Sequence, residues 1–268
     1  MSTPHFFIDK IIPYVRGDFI KLDLGKEIMA HLDTLRLQRG EHLVLIDRPG
    51  HAVKIILSNT PHRKAGFIEG FLESEISIKR SVDLTLVQGI SVSDRMDQTI
   101  RQVTELGVSC IIPFESARST VRLDESARKK KQTRWQKVAI NAAEQSAQLM
   151  YPHIYEPVRI DGLLELLASY SLVLFFWEEA TESLFSVMEQ LSPGLTCLPG
   201  NNLQAEQQNL RLAVVVGPEG GFSQTEAEMF LQSGAYAVSL GQQLLRTETA
   251  AVVACALALY RFGALGGS

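Results

Sequence analysis

The sequence predicts an α/β protein in which a mostly parallel sheet follows a small β-barrel-like domain. From about residue 76 onward, apolar runs of strand length alternate with helical segments, which is typical of a parallel sheet. Before that point, short β-branched runs are separated by turn sequences such as Arg48-Pro49-Gly50, and one helical segment lies near Lys26–Leu35. We therefore expect two domains, residues 1–75 and residues 76–268.

The composition is that of an ordinary globular protein. The 268 residues are 46% apolar and 21% charged, which is enough for two domains with sizeable cores. The three cysteines are far apart and match no metal or redox spacing, and the histidine spacings match no zinc motif, so we expect a cytoplasmic protein without a metal. The charged start MSTPHFFIDK does not resemble a signal peptide, and the longest uncharged apolar run, Ala250–Tyr260, is too short to span a bilayer. We expect no membrane association.

Charge is distributed unevenly along the chain. Residues 76–150 hold 12 Lys and Arg against 8 Asp and Glu, whereas residues 151–268 hold 4 against 12. A basic middle third suggests a surface that faces a polyanion. Within it, a long helix predicted over Glu125–Met150 begins with cations around Trp135, which is either a solvated face or a surface for phosphates and stacked bases.

Two strand–loop–helix units in succession carry the strongest functional signal. In the first, Val214–Val216 is a buried strand that ends in Gly217–Gly221, and Ser223 and Glu226 have the spacing of a capping box. Glycines let a ligand approach the backbone, and the N–H groups of a helix start are free to donate. The loop is either a ligand site or only a tight turn.

The second unit makes the ligand interpretation stronger. Tyr236–Leu240 is predicted as a strand, Gly241–Leu245 as a loop, and Arg246–Thr249 as the start of a helix. The body of that helix carries no charge and must be buried, so the charged residues at its start need partners, either each other or a ligand. Because both loops follow strands of one parallel sheet, we expect them to line one pocket.

These motifs resemble a known family. GPEGGFSxxE followed by LGxxLLRTETAA resembles the RsmE family of small-subunit ribosomal RNA uridine N3-methyltransferases of the SPOUT superfamily. The stretch DRMDQTIRQVTELGVSCIIPFESARST is similar to a second block of that family, and HLDTLRLQRGEHLVLID is similar to its N-terminal PUA-like RNA-binding domain. Gln102 and Gln148 depart from the family, which often has Lys and usually has Arg there.

The resemblance implies a fold and partners. The fold would be an α/β SPOUT domain with a deep trefoil knot over residues 76–268, preceded by a PUA-like β-barrel over residues 1–75. The cofactor would be S-adenosylmethionine, held by the two loops. The substrate would be a uridine near the 3′ end of 16S rRNA in the small ribosomal subunit, and the protein would be a homodimer packed through the knot.

The resemblance also implies site residues. Methylation of N3 requires loss of the imide proton, and the resulting anion spreads onto O2 and O4 of the base. Arg246 would stabilise that charge, with Glu248 or Glu219 orienting Arg246 or the cofactor. The implied cofactor residues are Trp177, Glu178, Gly217, Pro218, Glu219, Gly220, Gly221, Leu240, Gly241, Leu244, Leu245, Arg246, Thr247, Thr249 and Ala250. The implied RNA contacts are Arg36, Arg39, Arg48, Lys54, Arg118, Arg122, Lys129, Lys130 and Arg134.

Two other functions stay open from the sequence alone. A non-catalytic RNA-binding factor of ribosome assembly could keep the same fold, and Gln102 and Gln148 favour it weakly. A nucleotide-binding enzyme acting on small molecules is less compatible with the basic segment. The sequence contains none of the motifs GxGxxG, GxxxxGK[ST], HExxH, CxxC or GxSxG, so the chemistry depends on positioning a reactive cofactor and not on a metal or a covalent nucleophile.

Overall fold

The computed structural model describes residues 3–61, 66–80, 82–190 and 210–265. The chain divides into two compact units, Met1–Lys79 with Ala143–Met150, and Arg80–Ala142 with Tyr151–Ser268. The polar stretch Gly200–Gln208, which the sequence predicts as an exposed loop, lies outside the described residues.

The first unit is built on a five-stranded sheet. Its order is β1-β3-β4-β5-β2, in which β1 and β3 are parallel and the other neighbours are antiparallel. The elements are β1 (His5–Phe7), β2 (Phe19–Asp23), α1 (Gly25–Leu35), β3 (His42–Arg48), β4 (His51–Leu57) and β5 (Phe67–Ser77). Buried side chains of the strands pack with Leu32 of α1 into one core. Strands β2 and β5 were not predicted from the sequence, although Phe19–Asp23 alternates apolar and polar residues as an edge strand does.

A buried histidine ties three strands of this unit together. Nδ1 of His51 is hydrogen-bonded to Oδ1 of Asp47, and Nε2 lies 2.6 Å from Oε1 of Glu75. Asp47 also accepts the backbone N–H of Ile12 at 3.0 Å. Burial alone would lower the pKa of His51, but the hydrogen bonds to Glu75 and Asp47 outweigh it and raise the pKa above its usual value. An imidazole that faces a carboxylate on each side donates from both nitrogens when it is protonated.

The second unit contains a sheet of six parallel strands, which confirms the predicted parallel sheet. Its order is β11-β9-β10-β6-β7-β8. The strands are β6 (Asp83–Gly89), β7 (Cys110–Phe114), β8 (His153–Ile154), β9 (Leu172–Phe176), β10 (Arg211–Val216) and β11 (Tyr236–Val238). Strand β10 lies between β6 and β9, so its side chains are buried on both faces, as expected of an uninterrupted apolar run.

Helices pack on this sheet. They are α2 (Ser93–Glu105), α3 (Glu125–Gln145), α4 (Ile160–Leu167), α5 (Leu184–Gln190), α6 (Gln224–Gln232) and α7 (Thr247–Arg261). Helix α7 contacts α2, β6 and β10, so the uncharged body predicted from the sequence is packed on the centre of the sheet. In the part of the chain that the structure describes, no helix is long and apolar enough to cross a bilayer.

The predicted end of the basic helix was wrong, and the structure decides between the two interpretations that the sequence left open for its aromatic residue. Helix α3 ends at Gln145 and not at Met150, because the chain turns at Ala147, whose φ of 56° is left-handed. Trp135 is only 1% exposed and belongs to the core that α3 shares with the sheet. Its ring is therefore not available to stack on an RNA base, and the aromatic residue among the cations is a packing residue.

Candidate active site

A cavity of about 520 Å³ opens at the carboxyl edge of the parallel sheet. It lies where β9, β10 and β11 end, which is where open α/β sheets bind ligands. Most of the predicted cofactor residues line it: Trp177, Glu178, Gly217, Pro218, Glu219, Gly221, Leu240, Gly241, Leu244, Leu245, Arg246, Thr247 and Ala250. Gly220, Glu248 and Thr249 are not among the lining residues. The two loops thus meet at one cavity, as the sequence predicts.

The first loop, Gly217–Gly221, is a tight turn at the end of β10. The N–H of Gly221 donates to the carbonyl of Pro218 at 2.9 Å, and Gly221 has a positive φ of 67°. A Cβ on Gly217 would lie 2.9 Å from the ring of Phe222, so only glycine fits there. The predicted capping box is confirmed, since Ser223 and Glu226 exchange hydrogen bonds at the start of α6.

Glu219 of the first loop binds the start of helix α2. Its Oε1 accepts the backbone N–H of Val92 at 3.3 Å and the guanidinium of Arg95 at 3.1 Å. A carboxylate at a helix start satisfies a free N–H and suits the helix dipole. Arg95 itself lines the cavity. Arg95 is not among the residues predicted from the sequence, although α2 follows β6, a neighbour of β10, and its start therefore lies at the same edge of the sheet.

A buried polar pair connects the first loop to the start of α7. The hydroxyl of Thr247 donates to the carbonyl of Gly217 at 2.6 Å and accepts from Nε2 of Gln88 at 2.9 Å. Gln88 is fully buried near the end of β6, and Nε2 also lies 3.4 Å from the carbonyl of Gly217. The sequence analysis missed Gln88 as well. The available signal was an amide side chain in the otherwise apolar end of a central strand, since a buried amide needs partners.

The second loop, Gly241–Leu245, projects into solvent. Gly241 has a positive φ of 106°, and Leu244 is 86% exposed although it lines the cavity. Arg246 follows at the N-cap of α7 and is exposed to the cavity, and its side chain makes no hydrogen bond or ion pair with any described residue. The Arg246–Glu248 ion pair left open by the sequence does not form.

Glu248 stands apart from the cavity wall. Its side chain is buried in the first turn of α7, and its Oε2 has no hydrogen-bond partner among the described residues. A buried carboxylate oxygen without a partner is costly, which is typical of a functional position or of a missing ligand or water. The charged residues that line the cavity are Arg95, Glu178, Glu219 and Arg246, so the cavity offers both signs to a ligand.

Several predicted RNA contacts have acidic partners. Lys54 pairs with Glu73 at 2.8 Å. Arg134 pairs with Asp97 at 2.5 Å, and Arg48 lies 3.6 Å from Asp47. Arg122 donates to the carbonyls of Ser116 and Ala117 at 3.1 and 2.9 Å, and Arg118 donates to the carbonyl of Gly220 at 3.4 Å. Arg36, Arg39, Lys129 and Lys130 are exposed.

Within the described ranges, no group of three or more His, Cys, Asp or Glu residues is arranged to hold a metal ion.

Comparison with known proteins identifies relatives along nearly the whole chain. A family model described as RNA methyltransferase domain matches residues 79–259. Ribosomal RNA small subunit methyltransferase E of Bacillus subtilis (strain 168) is 29% identical over 246 residues, 91% of this chain and 91% of that protein. The protein of the same name from Aquifex aeolicus (strain VF5) is 31% identical over 240 residues, 88% of this chain and 92% of that protein.

A solved structure is similar in fold. Ribosomal RNA small subunit methyltransferase E from Neisseria gonorrhoeae, bound to S-adenosyl methionine, superimposes with a TM-score of 0.77 at 27% identity. The match covers 97% of this chain and 98% of that chain, so the α/β fold is shared over both units.

Proposed function

The chain belongs to the ribosomal RNA small subunit methyltransferase E family, and from that premise we propose that it methylates N3 of a uridine in small-subunit ribosomal RNA. The methyl donor would be S-adenosylmethionine, bound in the cavity between the two loops. The observation that carries the proposal is the meeting of both family loops at one cavity, which Arg246 faces without a partner among the described residues.

The cavity fits the proposed cofactor in size and chemistry. Its volume, about 520 Å³, falls within the range of about 300–1,000 Å³ of small-molecule sites. Leu240, Leu245 and Ala250 offer an apolar wall suited to an adenine ring, and Glu178 and Glu219 offer acceptors for ribose hydroxyls. When bound, S-adenosylmethionine supplies a methyl group on a positively charged sulfur, which needs no further activation.

Arg246 is the proposed catalytic residue. Removal of the N3 proton puts negative charge on the uracil oxygens, and a guanidinium that faces the cavity without an acidic partner can stabilise it. A preformed ion pair would have to break first, and Arg246 has none among the described residues. Glu248 is the proposed orienting group, because it lies two residues from Arg246 and one oxygen of its buried carboxylate has no partner among the described residues. Glu219 is the alternative.

The RNA would be bound with the target base unpaired, because N3 lies on the Watson–Crick edge. We propose that the first unit is a PUA-like RNA-binding domain and that Arg36, Arg39, Lys129 and Lys130, which are exposed, contact phosphates first. Arg48, Lys54, Arg118, Arg122 and Arg134 would contact RNA only by sharing or leaving their present partners. The substrate would be 16S rRNA near its 3′ end, and the compartment would be the cytoplasm.

We also propose the trefoil knot and a homodimer. Helix α7 buries one face on α2, β6 and β10, yet Leu257 and Tyr260 on it are 42% and 68% exposed. Exposed large apolar side chains on an otherwise buried helix suit a subunit contact. Sedimentation at micromolar concentration tests the dimer, and a single species of 29.7 kDa would contradict it.

The decisive experiment is transfer of a radiolabelled methyl group from S-adenosylmethionine to small subunits that lack the modification, followed by primer extension. A methyl on N3 blocks Watson–Crick pairing, so reverse transcriptase should stop at one new position near the 3′ end. The stop should be absent with Arg246→Ala.

A non-catalytic assembly factor is the second candidate, favoured only by Gln102 and Gln148. Calorimetry with S-adenosylmethionine separates it from the enzyme. An enzyme gives heat of binding with cofactor alone, whereas a factor with an inactive pocket gives none. Binding without methyl transfer to subunits or naked RNA would keep the cofactor and reject the substrate.

A further inference from the structure

The carboxylate of Glu226 makes more hydrogen bonds than a helix cap requires. In a capping box, the glutamate at N3 needs to accept only the N–H of the N-cap residue. Oε2 of Glu226 does accept the N–H of Ser223, at 2.9 Å. Yet Oε2 also accepts the hydroxyl of Ser116 at 3.0 Å, and Oε1 accepts the N–H of Ala117 at 2.7 Å. Glu226 is only 4% exposed, so a side chain that is usually solvated has been buried against a distant loop.

That distant loop is internally rigid. The hydroxyl of Ser116 accepts the N–H of Arg118 at 3.2 Å, and the guanidinium of Arg122 donates to the carbonyls of Ser116 and Ala117. On the other side, Glu115 is paired with Arg128 of α3 at 2.7 Å. We call residues 115–122 the bracing loop. Ser116, Ala117 and Arg122 are hydrogen-bonded within the protein, so a shift at one end of the loop would be passed to the other.

The bracing loop touches the first loop of the cavity at Gly220. A Cβ on Gly220 would lie 2.9 Å from the carbonyl oxygen of Arg118 and 3.1 Å from its Cβ, so the two backbones are in close contact. The guanidinium of Arg118 also donates to the carbonyl of Gly220 at 3.4 Å. Gly220 does not line the cavity, but its neighbours Glu219 and Gly221 do. The bracing loop thus contacts the first loop at Gly220, on the side that faces away from the cavity.

We propose that Glu226 is a positioning residue of the cofactor pocket, which acts through the bracing loop on Gly220 to hold the first loop in its binding shape. The inference rests on the proposed cofactor but assigns Glu226 no contact with it. Glu226 binds Ser116 and Ala117 at one end of the bracing loop, and it binds Ser223 at the helix start that follows the first loop. One carboxylate therefore holds both the support behind Gly220 and the chain that leaves the glycine turn.

Two serines provide a matched pair of variants. The hydroxyl of Ser116 donates to Oε2 of Glu226 and accepts one backbone N–H, that of Arg118. The hydroxyl of Ser223 donates to the same oxygen and accepts one backbone N–H, that of Glu226. Ser116→Ala therefore weakens the link to the bracing loop, and Ser223→Ala weakens only the helix cap. Glu226→Ala removes both functions and serves as the stronger variant if it folds.

The first measurement needs no cofactor. Hydrogen exchange at the amides of residues 219–221 should become faster in Ser116→Ala than in Ser223→Ala, when both are compared well below their melting temperatures. The second is the Kd for S-adenosylmethionine by calorimetry. It should rise by about tenfold in Ser116→Ala, equivalent to about 1.4 kcal/mol, and by less than about twofold in Ser223→Ala.

The outcomes separate the inference from the proposed function. Equal exchange and equal Kd changes in the two serine variants would show that Glu226 is a cap alone and would overturn the inference while leaving the cofactor in place. If the wild-type protein binds no S-adenosylmethionine, the proposed function fails, and the exchange rates at residues 219–221 still decide whether Glu226 positions the loop.

Discussion

The loop Gly217–Gly221 and the loop Gly241–Leu245 line the same cavity, but the protein holds them very differently. The first loop is bonded on three sides: to Thr247 and Gln88 through the carbonyl of Gly217, to α2 through Glu219, and to the bracing loop through Gly220. In the part of the chain that the structure describes, the second loop has one local bond pair, between Gly241 and the hydroxyl of Ser239, and it leaves Leu244 in solvent.

The difference indicates two roles within one pocket. A loop that its neighbours already hold in place loses little conformational entropy when a ligand binds. It suits a ligand that is the same in every reaction, such as a cofactor. A loop with few contacts has a low local stability and can close over what arrives. We therefore expect substitutions in the first loop to change protein stability and pocket shape together. Substitutions in the second loop should change function alone.

Arg246→Ala is the strongest test of that separation. We expect kcat to fall by about 10²- to 10³-fold, as when a single group that stabilises developing charge is removed. The free energy of unfolding should change by less than about 0.5 kcal/mol, because the exposed side chain has no partner among the described residues. Arg101→Ala, at another exposed arginine in the second unit, is the control and should keep both properties. Full turnover, or a large loss of stability, in Arg246→Ala would break the comparison.

Gly89→Ala tests the fixed loop by crowding it. A Cβ on Gly89 would lie 2.4 Å from both N and Cδ of Pro218, and a backbone nitrogen cannot move aside. Overpacking of this kind costs about 1–3 kcal/mol. The control is Gly162→Ala, where a new Cβ meets no atom within 4 Å and the change in helix α4 should stabilise by about 0.5–1 kcal/mol. Urea denaturation gives both values, and a Gly89→Ala protein as stable as the wild type would mean that the first loop yields.

Thr247→Val removes the bond that joins the first loop to the start of α7 and leaves the shape of the side chain nearly unchanged. The carbonyl of Gly217 loses its 2.6 Å donor, and Nε2 of Gln88 loses its 2.9 Å acceptor. We expect a destabilisation of about 1–2 kcal/mol, since the groups left behind are buried. Thr249→Val, at an exposed threonine two residues along the same helix, should change stability by less than about 0.5 kcal/mol. Equal unfolding midpoints for the two variants would show that the bond to Gly217 adds nothing.

The two loops also show which features of the site could be predicted from the sequence. The first loop could be located because its signals are local: a β-branched strand, glycines, and a capping box that spans Ser223–Glu226. The second loop was located from signals just as local, namely the strand before it, Gly241 and the charged start of the helix after it. The supports of the first loop are not local. Glu219 is 124 residues from Arg95, Glu226 is 110 from Ser116, and Thr247 is 159 from Gln88. No spacing in the chain encodes which of its many polar residues will meet across such separations.

Trp135 is a second feature that the sequence alone could not decide. Cations around an aromatic residue are compatible with a nucleic-acid surface and with a merely solvated face, and the sequence left both open. Burial decided it, because Trp135 turns into the core while Lys129 and Lys130 face solvent. The parallel sheet, by contrast, was predictable because apolar runs of strand length alternate with helical segments along the chain. Each of these signals lies within a single segment.

A pH titration should change the stability of the first unit without acting on the two loops directly. His51 belongs to the first unit, whereas both loops belong to the second. The pKa of His51 is raised in the folded protein, so the folded state binds the proton more tightly than the unfolded chain does. The stability from this site is complete below the unfolded histidine pKa of about 6.5 and is lost as pH rises through the raised value. Calorimetric melting at rising pH should therefore show a falling transition in the wild type.

His51→Gln is the matching variant for that titration. Glutamine cannot carry the positive charge that faces Asp47 and Glu75, so the variant should be less stable at low pH and should lose this part of the pH dependence. Identical pH profiles for the two proteins would mean that His51 does not hold its proton more tightly after folding. Binding at the cavity at a fixed pH should be the same in both.

Leu244→Ala has the smallest expected effect on stability and tests the open loop most directly. The side chain is 86% exposed, so its removal should change the free energy of unfolding by less than about 0.5 kcal/mol. It nevertheless lines the cavity, and if the second loop closes over a bound ligand, the leucine becomes buried only then. Burial of such a side chain is worth about 1.5–3 kcal/mol, so the Kd for S-adenosylmethionine should rise by roughly tenfold or more. An unchanged Kd would mean that the loop stays open over the cofactor, and that the difference between the two loops is one of exposure and not of function.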